Sequence, residues 1–215
     1  MVELSNPVKY HLCQNSPLPA VEWLYDYVVA ANGVYKRASN DYFWACLPVE
    51  QARFEGDLPK KLIPYRQAAF YLRRPRLPVS ALAIIIKDAR THWSDYGKFI
   101  ENYYIINNQG VALRPTQKGT AGSVSYNLGN YNMQNALMEV HTHPGMAYFS
   151  ETDNADEQGF RLYGVLGNIN QARPEFCLRL GVYGDFIPLR ADEVFEDDIY
   201  QVVDDTPSSL GVELL

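Results

Sequence analysis

The sequence predicts an α/β (α+β) protein in which a mixed β-sheet is flanked by helices and preceded by a β-rich N-terminal extension. The first 75 residues carry short aromatic and β-branched runs, which are typical of strands. A stripe of apolar residues at helical spacing follows, and beyond it strand-length apolar runs alternate with Asn- and Gly-rich turns. Helices packed against a sheet are the simplest arrangement of such elements. The predicted organisation is a β-rich region over 1–75, a second domain over 76–195 and an acidic tail over 196–215.

A β-hairpin is predicted near the start of the N-terminal region. The dipeptide Asn-Gly at 32–33 separates the run 25–31 from the run 34–36. Asn-Gly is a strong hairpin signal because both residues tolerate positive φ. A third strand is predicted over 42–47, and Pro48 is expected to close it.

The second domain begins with an ambiguous apolar segment. Its helical stripe consists of Leu82, Ile85, Ile86 and Ala89, with Trp93 one turn further on. The run 84–86 alone would suit a buried strand, but the length of the segment favours a helix. The later predicted elements are strands over 99–106, 111–113, 123–127 and 136–143, a helix beginning at residue 150, and further strands in the apolar runs 160–166, 176–183 and 186–189.

The composition excludes some classes of protein. The chain carries 19 basic and 25 acidic residues, and its net charge of −6 speaks against direct binding of a nucleic acid, which needs a basic face. No apolar run reaches the roughly 18 residues of a membrane span, so no membrane association is expected. Three well-separated cysteines fit neither a disulfide framework nor a CxxC zinc site, and a cytoplasmic location is expected.

The most informative residues are two histidines in the predicted strand 136–143. Alternate residues of a strand project to one face, so Glu139, His141 and His143 share a face. Ten positions after His143 stands Asp153, which a loop could bring back to the strand end. Two histidines and one carboxylate form a normal catalytic zinc set, with the fourth position open for water. We therefore predict that His141, His143 and Asp153 bind Zn²⁺.

Simpler interpretations of the same residues exist. Two histidines in one strand can be ordinary polar neighbours. Ser150 and Asp153 also match a capping box, in which the serine caps a helix and the aspartate lies in its first turn. Capping and metal binding are compatible, because a capped helix start is a rigid support for a ligand. Asp156 and Glu157 are expected to be solvated residues of that helix.

The string His141-Thr142-His143-Pro144, followed by Ser150 and Asp153, resembles the JAB/MPN (JAMM) metalloprotease family. The resemblance implies a JAB/MPN-like (cytidine-deaminase-like) fold over 76–195. It also implies zinc on the three predicted ligands, with Ser150 holding the water or the oxyanion. The family cleaves peptide or isopeptide bonds, typically next to ubiquitin or ubiquitin-like proteins. Six residues separate His143 from Ser150, one fewer than is usual in that family, so the loop must absorb the difference.

A longer likeness covers the segments 120–126, 149–156, 159–167 and 179–184. These segments are similar to a bacterial Prok-JAB group, the PRTRC system protein A family. That resemblance implies a ubiquitin-like protein or a peptide tail as substrate. It also implies a ThiF-like activating enzyme as a further partner.

The catalytic glutamate of the resembled family lies on an earlier strand and has no local motif. Glu101 is the preferred candidate, because a general base must reach the water from across the metal. Glu139 is the rival base, since it shares the ligand face. The simpler interpretations are that Glu101 faces solvent at a strand end and that Glu139 orients a ligating imidazole.

Two function classes follow from these predictions. The first is a zinc-dependent metallopeptidase or isopeptidase that hydrolyses an amide bond next to a ubiquitin-like or peptide tail. The second is a non-catalytic JAB-fold binding or scaffold module of a PRTRC-type cassette, because fold does not determine function. The enzyme is preferred, since the chain keeps all three metal residues.

Overall fold

The computed structural model describes residues 8–51, 61–66, 69–92, 100–197 and 211–215. The chain divides into two compact units, 1–75 and 76–215. Both are built mainly from strands, with few helices, so the predicted mixed α/β class is confirmed and is weighted towards sheet. None of the helices in the described ranges is both long and apolar enough to cross a membrane.

The first unit contains a five-stranded sheet whose strands follow one another in chain order. The first strand is parallel to the second, and the remaining neighbours are antiparallel. The strands are β1 (Val8–Leu12), β2 (Tyr25–Ala30), β3 (Gly33–Ser39), β4 (Phe43–Glu50) and β5 (Ala69–Leu72).

The predicted hairpin is confirmed, because Ala30 and Gly33 pair across the turn between β2 and β3. Gly33 has a φ of +143°, and a Cβ there would lie 2.4 Å from the carbonyl oxygen of Glu50. The prediction that Pro48 closes its strand is wrong. Pro48 lies within β4, opposite Tyr35 and next to a register shift in the pairing. A bulge tolerates the missing proline N–H, so the strand continues to Glu50.

A buried ion pair joins β2 to β3. Arg37 donates from Nε and Nη2 to the two carboxylate oxygens of Asp26, at 2.8 Å and 2.7 Å. Both side chains are almost completely buried. The planar guanidinium matches the carboxylate, which makes the pair geometrically specific.

The second unit is organised around a seven-stranded sheet. The elements of this unit are α1 (Val79–Thr91), β6 (Tyr103–Asn107), β7 (Ala112–Arg114), β8 (Thr116–Gly119), β9 (Val124–Asn127), β10 (Ala136–Thr142), α2 (Glu151–Asp156), β11 (Phe160–Gly167), β12 (Glu175–Val182), β13 (Asp185–Leu189) and β14 (Glu213–Leu214). The strand order in the sheet is β13-β12-β11-β10-β6-β7-β14, and β8 pairs with β9 as a separate hairpin. The predicted tail 196–215 thus contributes an edge strand, which pairs with β7.

The predicted first helix is confirmed as α1, and the stripe residues Leu82, Ile85, Ile86 and Ala89 are all buried. Trp93 and residue 99 lie outside the described residues. The hydroxyl of Tyr104 on β6 donates to Asp88 of α1 at 2.8 Å, which helps to hold the helix on the sheet. The strand predicted over 99–106 begins only at Tyr103, so Glu101 precedes it.

Strand β10 lies at the centre of the sheet, antiparallel to β6 and parallel to β11. On one face, Met138 and Val140 are fully buried. On the other face, Glu139 and His141 retain partial exposure. Parallel neighbours cannot be joined by a tight turn, so the chain must cross over between them. That crossover contains the loop after β10 and helix α2.

The loop after β10 passes directly over Gly167 at the end of β11. A Cβ at Gly167 would lie 2.2 Å from the amide nitrogen of Ala147 and 2.5 Å from the carbonyl oxygen of Gly145. The amide of Asn168 donates to that carbonyl oxygen at 2.7 Å. The amide of Ala147 donates to Glu175 Oε2 at 3.0 Å. Glycine at 167 therefore permits the close approach of the loop.

We expect Gly167→Ala to lower the free energy of unfolding by about 1–3 kcal/mol, because the added methyl group must displace backbone atoms. Chemical denaturation measures the difference. Gly145→Ala is the matched control in the same loop, since nothing lies within 4 Å of its Cβ position. Equal effects of the two substitutions would contradict the steric explanation.

Candidate metal centre

The three predicted metal ligands converge at the end of β10. His141 Nε2 lies 3.1 Å from His143 Nε2 and 3.3 Å from Asp153 Oδ1. His143 Nε2 lies 3.9 Å from Asp153 Oδ2. The ligand atoms of the three residues are all within 4.8 Å of one another, so the group could hold a metal ion.

Strand geometry places the two imidazoles together. His141 lies in β10, and the amide of His143 donates to the carbonyl oxygen of Leu166 at 2.8 Å. The ladder with β11 thus continues beyond the last residue of β10. Alternation along this extended backbone sends both histidines to the same face.

Helix α2 presents the third ligand, and the predicted capping box is confirmed. Ser150 is the N-cap, and its backbone amide and its hydroxyl donate to Asp153 Oδ2 at 2.6 Å and 2.7 Å. The amide of Asp153 in turn donates to Ser150 Oγ at 3.2 Å. Oδ2 therefore serves the cap, whereas Oδ1 faces His141. The cap therefore occupies one oxygen of the carboxylate and leaves the other for a metal ion that the group could hold.

The electrostatics favour the protonation states that a metal needs. Burial raises the pKa of Asp153, but hydrogen bonds to His141 and Ser150 outweigh it and hold the pKa well below its usual range. Burial lowers the pKa of His143, and the neighbouring His141 lowers it further. Metal ligands must be an ionised carboxylate and neutral imidazoles at neutral pH. The pKa values of Asp153 and His143 are therefore shifted in the directions that metal binding needs.

The three residues border a cavity of about 560 Å³. The hairpin of β8 and β9 contributes one wall. Gln117 attaches this hairpin to Tyr103, accepting from its amide at 2.7 Å and donating to its carbonyl oxygen at 3.1 Å. The ring of Tyr126 stacks on that of Tyr103, with centroids 3.8 Å apart. On the loop after β10, Tyr148 packs edge-on against His143 and remains 57% exposed.

Glu101 lines the same cavity and is only 8% exposed. Among the described residues, no hydrogen bond or ion pair engages its carboxylate. Burial raises the pKa of Glu101, the charge of His141 lowers it, and that of Asp153 raises it. Its backbone is held by the hairpin, because its amide donates to the carbonyl oxygen of Thr120 at 2.8 Å. Glu101 thus faces the cavity and not bulk solvent.

Glu139 also lines the cavity but is already engaged. The hydroxyl of Tyr103 donates to its Oε2 at 2.7 Å, and Arg161 Nη1 lies 3.0 Å from its Oε1. Both oxygens are thus occupied by groups other than an imidazole. This arrangement differs from the expected orienting contact with a ligating histidine.

Sequence reasoning did not identify Tyr103, Tyr126 or Arg179 as neighbours of the site, because aromatic and basic residues inside strands carry no local signal of a cavity. The expectation that Glu157 is solvated is wrong. Glu157 is 9% exposed, and Arg179 from β12 pairs with it. The two residues are far apart in sequence, so only the folded sheet brings them together.

Protein-family models give no match to this chain, and curated protein sequences give none either. The interpretation of the site therefore rests on its residues and their geometry.

We expect the purified protein to bind about one divalent metal ion per chain and His143→Ala to lose it, because two remaining ligands hold an ion poorly. Elemental analysis and titration calorimetry measure the stoichiometry and the affinity. His92→Ala is the control, since His92 lies near Asp88 of α1 and does not line the cavity. Unchanged metal binding by His143→Ala would contradict the assignment.

Removing the cap should weaken both the helix and the metal centre. Ser150→Ala is expected to lower the free energy of unfolding by about 1 kcal/mol, because an N-cap bond is lost. Its metal affinity should also fall, since Asp153 Oδ2 loses the hydroxyl that orients it. Ser150→Thr keeps a hydroxyl and should retain most of both properties. An alanine variant with wild-type metal affinity would show that the cap does not orient the ligand.

Proposed function

We propose that this protein is a zinc-dependent hydrolase, a metallopeptidase or isopeptidase that cleaves an amide bond next to a peptide tail. The observation that carries the proposal is the meeting of two imidazole nitrogens and one carboxylate oxygen beside a cavity. A buried carboxylate without a described partner, Glu101, lines the same cavity. This combination is what metal-assisted hydrolysis requires.

The donor set fits zinc. In a tetrahedral zinc site with bonds of about 2.0–2.1 Å, the ligand atoms lie about 3.3 Å apart. The distances from His141 Nε2 to His143 Nε2 and to Asp153 Oδ1 are 3.1 Å and 3.3 Å, whereas His143 Nε2 and Asp153 Oδ2 are 3.9 Å apart. No fourth His, Cys, Asp or Glu joins this cluster within the described part of the chain. Three protein ligands are typical of catalytic zinc, whereas structural sites are closed by four.

Zinc, when bound, supplies Lewis acidity and makes water a nucleophile at neutral pH. Glu101 would accept the proton of that water and return it to the leaving amine. Its burial suits this role, because a raised pKa lets the carboxylate hold the proton between the two transfers. Ser150 orients Asp153 through its hydroxyl, and it would have to rotate away from Asp153 to donate to an oxyanion.

The cavity wall argues against a substrate that presents a free C-terminal carboxylate. No lysine or arginine lines the cavity within the described ranges, whereas several carboxylates do. A site that binds a free C-terminal carboxylate needs a positively charged partner. Cleavage inside a chain or at an isopeptide bond therefore fits better than removal of a C-terminal residue. The partly exposed rings of Tyr126 and Tyr148 offer contacts for an extended tail.

The resemblance to JAB-type proteins suggests a ubiquitin-like protein as the bearer of that tail, with a ThiF-like enzyme as a further partner. The competing proposal is a non-catalytic JAB-fold module. It is favoured by one contact, since the single hydroxyl proton of Ser150 is directed at Asp153 and not at the cavity. The two proposals differ in whether Glu101 is needed.

Glu101→Gln should keep the metal and lose at least 100-fold in turnover, because glutamine cannot accept a proton. Two probes would measure hydrolysis by mass spectrometry: a proteome-derived peptide mixture and ubiquitin carrying a C-terminal amide conjugate. Glu139→Gln is the matched control, and its turnover should fall much less.

Full activity of Glu101→Gln would exclude Glu101 as the base, and a larger loss in Glu139→Gln would identify Glu139 instead. A zinc-loaded wild-type protein that cleaves neither probe would favour the non-catalytic module.

A further inference from the structure

We infer that Arg179 is a positioning residue that holds helix α2, and with it Asp153, at the metal centre. The inference rests on the proposed metal site but concerns a side chain outside it. Arg179 lies in β12 and does not line the cavity. Its effect on the metal would therefore pass through α2.

The guanidinium of Arg179 contacts Asn154 and Glu157, the first and last residues of the segment 154–157 that follows Asp153. Its Nε donates to Glu157 Oε2 at 2.9 Å, and its Nη2 donates to the same oxygen. Its Nη1 donates to Oδ1 of Asn154, the residue next to Asp153. The amide of Glu157 donates to the carbonyl oxygen of Asp153 at 2.9 Å. One side chain thus ties the neighbour of the ligand and the C-cap of its helix to the sheet.

Two aromatic rings enclose the same guanidinium. Its carbon atom lies 3.8 Å from the ring centroid of Phe149 and 3.7 Å from that of Phe186. Phe149 directly precedes Ser150, the residue that caps α2. The contacts of Arg179 therefore hold the chain on both sides of the cap and the ligand. A planar, weakly hydrated cation suits this sandwich, and a lysine ammonium does not.

Helix α2 needs such support. It has only six residues, and so short a helix is not stable by itself in water. Arg179, in contrast, lies on a strand that pairs on both sides, opposite Tyr163 on β11 and Pro188 on β13. Arg179 is 6% exposed. A rigid, buried cation on the second strand from one edge of the sheet is thus connected to the element that carries Asp153.

The first test measures metal binding without any substrate. Zn²⁺ competition with a chromophoric chelator should show a ten- to hundred-fold weaker affinity in Arg179→Met, the usual effect of removing a group that orients a metal ligand. Arg179→Lys should recover only part of the affinity, because it keeps the charge but loses the planar fork. The absorption spectrum of the Co²⁺-loaded protein should change in Arg179→Met, since the ligand geometry changes.

Arg37→Met is the matched control. Arg37 also forms a buried pair with a carboxylate, that of Asp26, but in the first unit. Its loss should destabilise the first unit and leave the Zn²⁺ affinity and the Co²⁺ spectrum unchanged. If Arg179→Met does not fold, two other variants replace it in the experiment. Asn154→Ala removes the hydrogen bond from Nη1, and Glu157→Ala removes those from Nε and Nη2.

Amide hydrogen exchange of the metal-free protein separates this inference from the proposed function. Exchange over 151–157 should accelerate in Arg179→Met and not in Arg37→Met. A wild-type protein that binds no metal would defeat the proposed metal centre, while faster exchange in Arg179→Met would still support the tie between Arg179 and α2. Wild-type exchange over 151–157 together with wild-type Zn²⁺ affinity in folded Arg179→Met would overturn the inference.

Discussion

The site depends on how the two oxygens of the Asp153 carboxylate are shared: one accepts hydrogen bonds from the helix cap, and the other faces His141. Asp153 gives Oδ2 to the cap of α2 and turns Oδ1 towards His141. The cap fixes the helix start, and the helix start fixes the direction of the free oxygen. Because β10 and β11 are parallel, the chain must cross over from the strand end near both histidines to the opposite end of the sheet, and the crossover contains α2 with Asp153. Backbone topology and one side chain together create the convergence.

Pairing of charges distinguishes the glutamates around the cavity. Glu139 contacts Tyr103 and Arg161, and Glu157 contacts Arg179, so each has a polar or basic partner. A buried carboxylate without such a partner is costly and is kept where chemistry needs it. Among the described glutamates that line this cavity, Glu101 is the one whose carboxylate has no such partner. This difference in partners supports the proposal that Glu101 is the base.

Local signals predicted most of the secondary structure. Asn-Gly chemistry determined the first hairpin, and helical spacing from Leu82 to Ala89 determined α1. The errors have a common cause. Pro48 remains inside β4 because the neighbouring strand shifts its register, and Glu157 is buried because a distant arginine reaches it. Both effects come from pairing partners that a local pattern does not contain.

The sequence by itself determined the three candidate ligands and the cap, because strand alternation and capping act over a few residues. Only the tertiary structure decided which glutamates of the cavity have hydrogen-bond or ion-pair partners and what supports α2. Tyr103 and Glu139 are 36 positions apart, and Glu157 and Arg179 are 22 apart. Contacts at such separations depend on the order and register of the strands. The physical reason is that a side chain's partners across a sheet are set by strand pairing, which no local periodicity encodes.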